Sequence, residues 1–84
     1  MKKDRKQLRK PSTRIRELLA TNVRGYRAQL GLSQEELAAV ADLHRTYVGA
    51  VERAERNVTL STLEALATAL DVTVSKLLTP KKKG

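Results

Sequence analysis

The stretch from residue 34 to residue 53, QEELAAVADLHRTYVGAVER, constrains the fold of this chain more than any other. Its small and apolar side chains recur at the spacing that two short crossed helices need where they touch. These residues are Ala38, Val40, Ala41, Leu43, Val48 and Val51. We expect one helix to end near Ala41 and a second helix to run from about Arg45 to Arg53.

The start of the earlier helix carries the strongest local signal. Ser33 is followed three residues later by Glu36, which is the spacing of a capping box, in which each side chain accepts a bond from the other residue's backbone amide. Leu32 and Leu37 flank the box at the spacing of a hydrophobic staple. The pattern predicts that this helix begins at Gln34.

A long first helix is predicted before this two-helix unit. Ser12 or Thr13 can cap it, and it runs to about Leu30 before Gly31 ends it. Its apolar stripe consists of Ile15, Leu19, Val23, Tyr26 and Leu30. Gly25 lies inside this helix and should cost about 1 kcal/mol relative to alanine.

Two shorter helices are predicted after the unit. Thr59 caps a fourth helix. The predicted buried side of that helix consists of Leu60, Leu63, Leu66, Ala67 and Leu70. In a short fifth helix, Leu77 and Leu78 face inward or toward a partner, and Pro80 ends the fold. Connections of about two to six residues suit an all-α fold, a compact bundle of five helices.

Charge is concentrated at the two ends of the 84-residue chain. Residues 1–16 carry a net charge of +7 and residues 81–83 carry +3, whereas residues 17–80 carry −2. Flexible basic ends would attract DNA phosphates regardless of sequence, and salt would screen this attraction. The nearly neutral body could then recognise a specific base sequence. The alternative is that the charged ends only keep the protein soluble.

These patterns divide the chain into three parts. We expect a disordered basic arm over residues 1–12, because like charges and few apolar groups cannot build a core. A helical domain is expected over residues 13–79, and a basic tail over residues 80–84.

Composition argues against several classes of function. The chain has no cysteine, one histidine and no cluster of metal ligands, so we expect no metal and no cofactor. Two tyrosines are its only aromatic residues, too few for a surface that stacks single-stranded nucleic acid. No apolar run approaches the ~20 residues that span a bilayer, and no nucleophile–base pair or phosphate loop is present. We expect a cytoplasmic protein that is not an enzyme.

The two-helix unit has the form of a helix-turn-helix, whose second helix can enter a DNA major groove. At its start, Arg45 can donate two hydrogen bonds to guanine, and Thr46 can touch a thymine methyl group. Gly49 and Ala50 follow one turn later, where close approach of the backbone to a base would explain a glycine inside a helix. His44 is expected to cap the helix, with a base contact as the alternative. The alternative is that the start of this second helix is exposed and polar without contacting DNA.

Further polar residues lie on either side of the predicted base readers. Tyr47, Arg53, Arg56 and Asn57 can contact the DNA backbone, which fixes register without reading sequence. Tyr47 can instead pack part of its ring on the domain.

From about Asn22 to Leu78 the chain resembles the Cro and lambda-repressor-like helix-turn-helix family. The motifs that carry the resemblance are LGLSQEELA at 30–38, RTYVGAVERAERNVTL at 45–60 and LEALATALDVTVSKLL at 63–78. It implies a compact five-helix DNA-binding fold. The RTYVGAVER motif in a small stand-alone chain is most similar to the controller proteins of restriction–modification systems.

The resemblance also implies roles for individual residues. Gln34 matches a glutamine that bonds a phosphate and supports the DNA-reading helix, and Arg27 and Glu52 match positions that commonly form an ion pair. Asp42 and Ala54 stand where the family usually has glycine. A left-handed backbone at these places costs more for residues with a side chain.

Together these features predict a transcriptional regulator that binds double-stranded DNA as a homodimer on a pseudo-palindromic operator. Its half-sites would lie about one helical turn apart, roughly 34 Å. The dimer contact is expected near the fourth and fifth helices, with Val74, Leu77 and Leu78 as candidates. RNA polymerase is a possible protein partner. One alternative is an antitoxin that binds a toxin and represses its own operon, and another is an architectural protein without sequence preference.

Overall fold

A computed structural model describes residues 13–81, and within them the chain forms five α-helices and no strands. The helices are α1 (Thr13–Gln29), α2 (Gln34–Ala41), α3 (Arg45–Glu52), α4 (Leu60–Leu70) and α5 (Val74–Leu77). The predicted five-helix architecture is confirmed. The expected arm over residues 1–12 and the last three residues of the expected tail lie outside the described residues.

Side chains cap the starts of α2, α4 and α5, and the sequence predicts the first two of these caps. Ser33 and Glu36 form the capping box of α2: Ser33 Oγ accepts from the Glu36 amide at 2.9 Å, and Glu36 Oε1 accepts from the Ser33 amide at 2.7 Å. Thr59 and Thr73 cap α4 and α5, each accepting from the amide three residues later at 3.1 Å. These bonds satisfy amides that a helix start leaves without an internal partner.

Four chain reversals use left-handed backbone. Gly31 has a φ of 70° after α1, Asp42 and Asp71 each have 59° at the ends of α2 and α4, and Ala54 has 62° after α3. Left-handed backbone costs a residue with a Cβ roughly 1–2 kcal/mol, and aspartate tolerates it better than alanine. Asp42 and Ala54, which stand where the family usually has glycine, therefore both adopt a backbone conformation that suits glycine best.

The core is formed where α2 packs against α3 and α4 and where α1 packs against α3, α4 and α5. Its largest fully buried apolar side chains are Val23, Leu37, Val48, Val51, Leu66 and Leu77. The predicted buried side of α4 is confirmed at Leu63, Leu66, Ala67 and Leu70.

Four residues that were predicted to be buried are exposed. Ile15 lies in the first turn of α1 and Leu30 directly follows its last residue, so both are far from the buried middle of the helix. Val40 is 62% exposed because it precedes the buried Ala41 by one residue, which turns it about 100° away around α2. Leu60 is 83% exposed because it is the first residue of α4, before the helix meets the core.

The C-terminal segment is fastened to one side of α1, which the sequence did not predict. Asn22 is buried, and its Nδ2 donates to the carbonyl oxygens of Leu77 at 2.8 Å and Thr79 at 3.0 Å. Lys81 Nζ lies 4.2 Å from the centre of the Tyr26 ring. A Cβ on Gly25 would lie 3.2 Å from the same Nζ, so the glycine leaves room for this lysine.

Candidate DNA-binding surface

The starts of α2 and α3 border an open groove of about 610 Å³. Its lining residues are Arg27, Ser33, Gln34, Glu35, Arg45, Thr46 and Arg53. Three of them are arginines and one is acidic. Arg27 is paired with Glu52 behind the groove, so Arg45 and Arg53 are the arginines that make it favourable for anions. The start of α2 strengthens this preference, because its backbone amides and helix dipole favour negative charge. The fold thus brings together four of the predicted DNA contacts: Gln34, Arg45, Thr46 and Arg53.

Glu52 connects the helices behind this groove. Arg27 donates to its carboxylate through Nε at 2.6 Å and through Nη2 at 3.0 Å, which is the ion pair that the resemblance implied. Arg27 Nη1 also donates to the carbonyl of Leu32 at 2.9 Å. The hydrogen bond to Glu52 raises the pKa of Arg27, and the carboxylate charge acts in the same direction against the effect of burial. α1 is therefore tied to the end of α3 by a permanently charged group.

Gln34 joins α2 to the same carboxylate. Its Nε2 donates to Glu52 Oε1 at 2.8 Å. A carboxylate paired with arginine only accepts hydrogen bonds, so Gln34 must turn its amide nitrogen toward Glu52. Its Oε1 then lies 3.5 Å from the place a Cβ on Gly49 would occupy. Gln34 supports α3 in this way, and its phosphate contact stays a prediction.

The first turn of α3 is exposed to solvent at both predicted base readers, Arg45 and Thr46. His44 takes the capping role: its Nδ1 accepts from the Thr46 amide at 3.2 Å. The Thr46 hydroxyl oxygen lies 2.6 Å from the same nitrogen. The cap therefore holds Thr46 at the helix start, and base contacts by these residues stay predictions.

Gly49 lies differently from the sequence-based expectation. It is buried, and a Cβ placed on it would lie 3.1 Å from Arg53 Nη1 as well as near Gln34. These two side chains lie over the helix at this point, and a base contact of the Gly49 backbone stays a prediction. Packing inside the protein supplies a reason for the glycine. Ala50 is half-buried, and its base contact stays a prediction.

The predicted phosphate contacts in and after α3 are held by neighbouring side chains. Tyr47 is half-buried and packs against the core, and the Arg56 guanidinium lies 4.8 Å from its ring centre. Arg53 Nε lies 3.2 Å from a carboxylate oxygen of Glu55. Asn57 is exposed on the following loop. The packing alternative for Tyr47 is therefore present, and the phosphate contacts stay predictions.

Two arginines of α1 contribute contacts that sequence reasoning missed. Arg24 donates through Nη1 to the backbone carbonyl of Glu52, the last residue of α3. It precedes Arg27 by three residues, a spacing that places both on one side of a helix and was the available signal. Arg16 Nη1 donates to Asn57 Oδ1 at 3.0 Å. These residues are 41 positions apart, and no spacing rule connects them.

The comparisons with known proteins agree with this geometry. Residues 23–77 match the helix-turn-helix family. The chain belongs to this family. Control protein C.SmaI from Serratia marcescens is 65% identical over 65 residues, which cover 77% of each chain. The crystal structure of a hypothetical transcription factor from Neisseria has 48% identity and a TM-score of 0.77, covering 83% of this chain and 82% of that one.

A second solved structure extends the same relationship. The restriction–modification controller protein C.AhdI from Aeromonas hydrophila has 45% identity and a TM-score of 0.72, covering 74% of this chain and 94% of that one. The fold class and family expected from the sequence are confirmed. The protein is a helix-turn-helix transcription regulator homologous to controller proteins, and these relatives do not favour the antitoxin alternative.

Two further observations concern the described part of the chain. None of the helices in residues 13–81 is long and apolar enough to cross a membrane. The same residues hold no group of three or more His, Cys, Asp or Glu side chains placed to bind a metal ion.

Proposed function

We propose that this regulator binds double-stranded DNA sequence-specifically as a homodimer on a pseudo-palindromic operator, and that it controls a restriction–modification system. The observation that carries the proposal is the arginine-lined groove beside the exposed start of α3. The 65% identity to a control protein supports the choice of system. In this proposal the protein acts in the cytoplasm, without a cofactor and without catalysis.

In the proposed complex α3 enters the major groove. Arg45 donates two hydrogen bonds to a guanine, a contact worth about 1–3 kcal/mol of discrimination against other bases. Thr46 and Ala50 lie beside it against neighbouring base edges. Gln34 and the amides at the start of α2 bind a backbone phosphate, because that end of a helix favours anions.

Residues in α3 and in the loop after it bind the DNA backbone in this proposal. Arg53, Arg56, Asn57 and the hydroxyl of Tyr47 contact phosphates and fix the register of α3 in the groove. Arg56 and Asn57 are exposed, and each is already oriented by a neighbour, the Tyr47 ring and Arg16 respectively.

A second subunit is required because one helix reads only a few base pairs. Leu60 is the most exposed large apolar side chain in residues 13–81, and it lines a surface groove together with Val74. Leu77 is fully buried inside the subunit, so it is not available for a dimer contact, and Leu78 is half-buried. We therefore place the dimer contact at Leu60 and Val74, with Leu78 beside them.

The proposal is tested by selecting random double-stranded DNA with the purified protein at near-physiological salt. We expect enrichment of a two-fold symmetric site with half-sites roughly 34 Å apart. In the same selection Arg45→Ala should lose the base preference at one position of each half-site. Arg56→Ala should weaken binding to all sequences by the same factor. No enrichment, with binding that disappears as salt rises, would overturn the proposal and leave only the basic ends holding DNA.

A further inference from the structure

Gly49 occupies the middle of a row on the DNA-facing side of α3. Arg45 precedes it by four residues and Arg53 follows it by four, so the three positions lie one above another along the helix. Both arginines line the groove described above. Glycine is the least favourable residue inside a helix apart from proline. Its presence between two arginines therefore needs a physical reason.

Arg53 supplies that reason, because its side chain folds back along α3. Its Nη1 lies 3.1 Å from the place that a Gly49 Cβ would take, on the side where Gln34 Oε1 also lies. At the other edge of the guanidinium, Nε lies 3.2 Å from the Glu55 carboxylate. Even so, 61% of the Arg53 side chain remains accessible. The guanidinium thus bonds Glu55 at one edge and lies over the gap at Gly49 with the other, while most of the side chain faces solvent.

We propose that Gly49 is a positioning residue: the gap left by its missing side chain lets the Arg53 guanidinium lie across α3 beside Gln34, aimed at the DNA backbone. A long flexible side chain loses conformational freedom on binding, so holding it in place beforehand strengthens the contact. A side chain at position 49 fills the gap and turns Arg53 outward. This inference rests on the proposed DNA binding and deepens it.

The test compares Gly49→Ala and Gly49→Leu with the full-length protein, each with and without Arg53→Ala. The probe is a random-sequence duplex, because a phosphate contact does not depend on sequence. Affinity is titrated over a range of salt concentrations, and thermal melting is followed for each variant. Gly25→Ala is the matched control, because it makes the same change inside a helix, 3.2 Å from the end of Lys81.

Alanine favours helices over glycine, and its Cβ requires only the flexible end of Arg53 to shift, so we expect the melting temperature of Gly49→Ala to stay level or rise. Leucine adds bulk at a buried position, so the affinity of Gly49→Leu is titrated below its own melting transition. DNA affinity should fall from glycine to alanine to leucine. The salt slope of Gly49→Leu should drop by about 0.9 for each bound subunit, the same as for Arg53→Ala. In the Arg53→Ala background Gly49→Ala should not weaken binding further, because its Cβ meets Gln34 Oε1 only at an ordinary contact distance of 3.5 Å. Gly25→Ala should keep the affinity and slope of the unchanged protein.

A role of Gly49 in stability alone would lower the melting temperature of Gly49→Ala together with its affinity, and that result would overturn the proposal. Unchanged affinity in Gly49→Leu would overturn it as well. Equal losses with and without Arg53 would mean that a side chain at position 49 blocks DNA directly, which replaces this inference but leaves the proposed function intact. If the unchanged protein bound no DNA duplex, both this inference and the proposed function would be rejected.

Discussion

The guanidinium of Arg27 bonds both carboxylate oxygens of Glu52, at 2.6 Å and 3.0 Å, and so ties α1 to the end of α3. The Glu52 side chain is only 2% accessible. A buried carboxylate is costly unless it is paired and hydrogen-bonded, and Gln34 provides the third bond. Glu52 therefore holds α3 in place and is itself turned away from solvent.

We expect Glu52→Ala to reduce stability more than DNA affinity. Removing one partner of a buried pair leaves the other uncompensated, and because Arg27 is partly accessible we expect a loss of about 3 kcal/mol. Thermal melting beside a DNA titration below the melting transition measures both effects. Glu17→Ala, at an exposed glutamate of α1, is the control and should change stability by less than about 0.5 kcal/mol. An unchanged melting temperature for Glu52→Ala would contradict the structural role.

Asn22 should be essential for the attachment of the C-terminal segment. Asn22→Asp keeps the shape of the side chain but replaces its NH2 group, which donates both hydrogen bonds, with a carboxylate oxygen. That oxygen can only accept, and it would face the carbonyl oxygens of Leu77 and Thr79. We expect a loss of about 3 kcal/mol and faster hydrogen exchange at the Leu77 amide. Thr21→Ala, at the exposed neighbouring position, should leave both unchanged. Normal exchange at Leu77 in Asn22→Asp would show that other contacts hold α5.

The sequence predicts the helices well because their signals are local. The capping box at Ser33 and the cap at Thr59 act within three residues, and both helix starts are found where these signals place them. Burial is predicted less well. The spacing of apolar residues shows which face of a helix is apolar, but it does not show how far along the helix the core covers that face. Val40 and Leu60 lie close to helix ends, and both remain largely exposed within the described chain. Whether a second subunit covers Leu60 is a property of the assembly.

The individual residues of the candidate site could be predicted from the sequence, but the contacts between their side chains could not. The helix-turn-helix pattern places Arg45 at the exposed start of α3, where the structure has it. The burial of Gly49 depends on where the side chains of Arg53 and Gln34 lie, and a pattern of residue types does not contain that information. Contacts between distant segments, such as Arg16 with Asn57, likewise require the three-dimensional fold.

Ala54→Gly should stabilise the protein. Ala54 has a φ of 62°, which costs alanine roughly 1–2 kcal/mol and glycine little. Part of that gain is lost because glycine is freer in the unfolded chain, so we expect about 1 kcal/mol, or a melting temperature higher by about 4–8 °C. Asp42→Gly makes the same change at a φ of 59°, and its gain should be smaller because aspartate tolerates this backbone. A lower melting temperature for Ala54→Gly would mean that its methyl group contributes more by packing than its backbone costs.

The basic arm should contribute affinity without specificity. Deleting residues 1–11 should weaken binding to all duplexes by the same factor and lower the salt slope by about 0.9 for each phosphate that the arm no longer neutralises. A variant of equal length with glutamine in place of every Lys and Arg of residues 1–11 separates charge from length, and it should behave like the deletion. Titrations at several salt concentrations measure the slope. An unchanged slope in both variants would leave solubility as the role of the arm.

Leu60→Asp should separate the proposed dimer. Burying a leucine side chain contributes about 1.5–3 kcal/mol, and a symmetric contact buries one from each subunit. Losing both should weaken dimerisation by about a hundredfold or more, and the added charge adds to the loss. Sedimentation at micromolar concentration should find a monomer that folds normally and binds a symmetric site poorly. Leu30→Asp is the control, because Leu30 is also exposed but lies at the end of α1, and it should remain dimeric. A Leu60→Asp protein that is still dimeric would move the dimer contact to another surface.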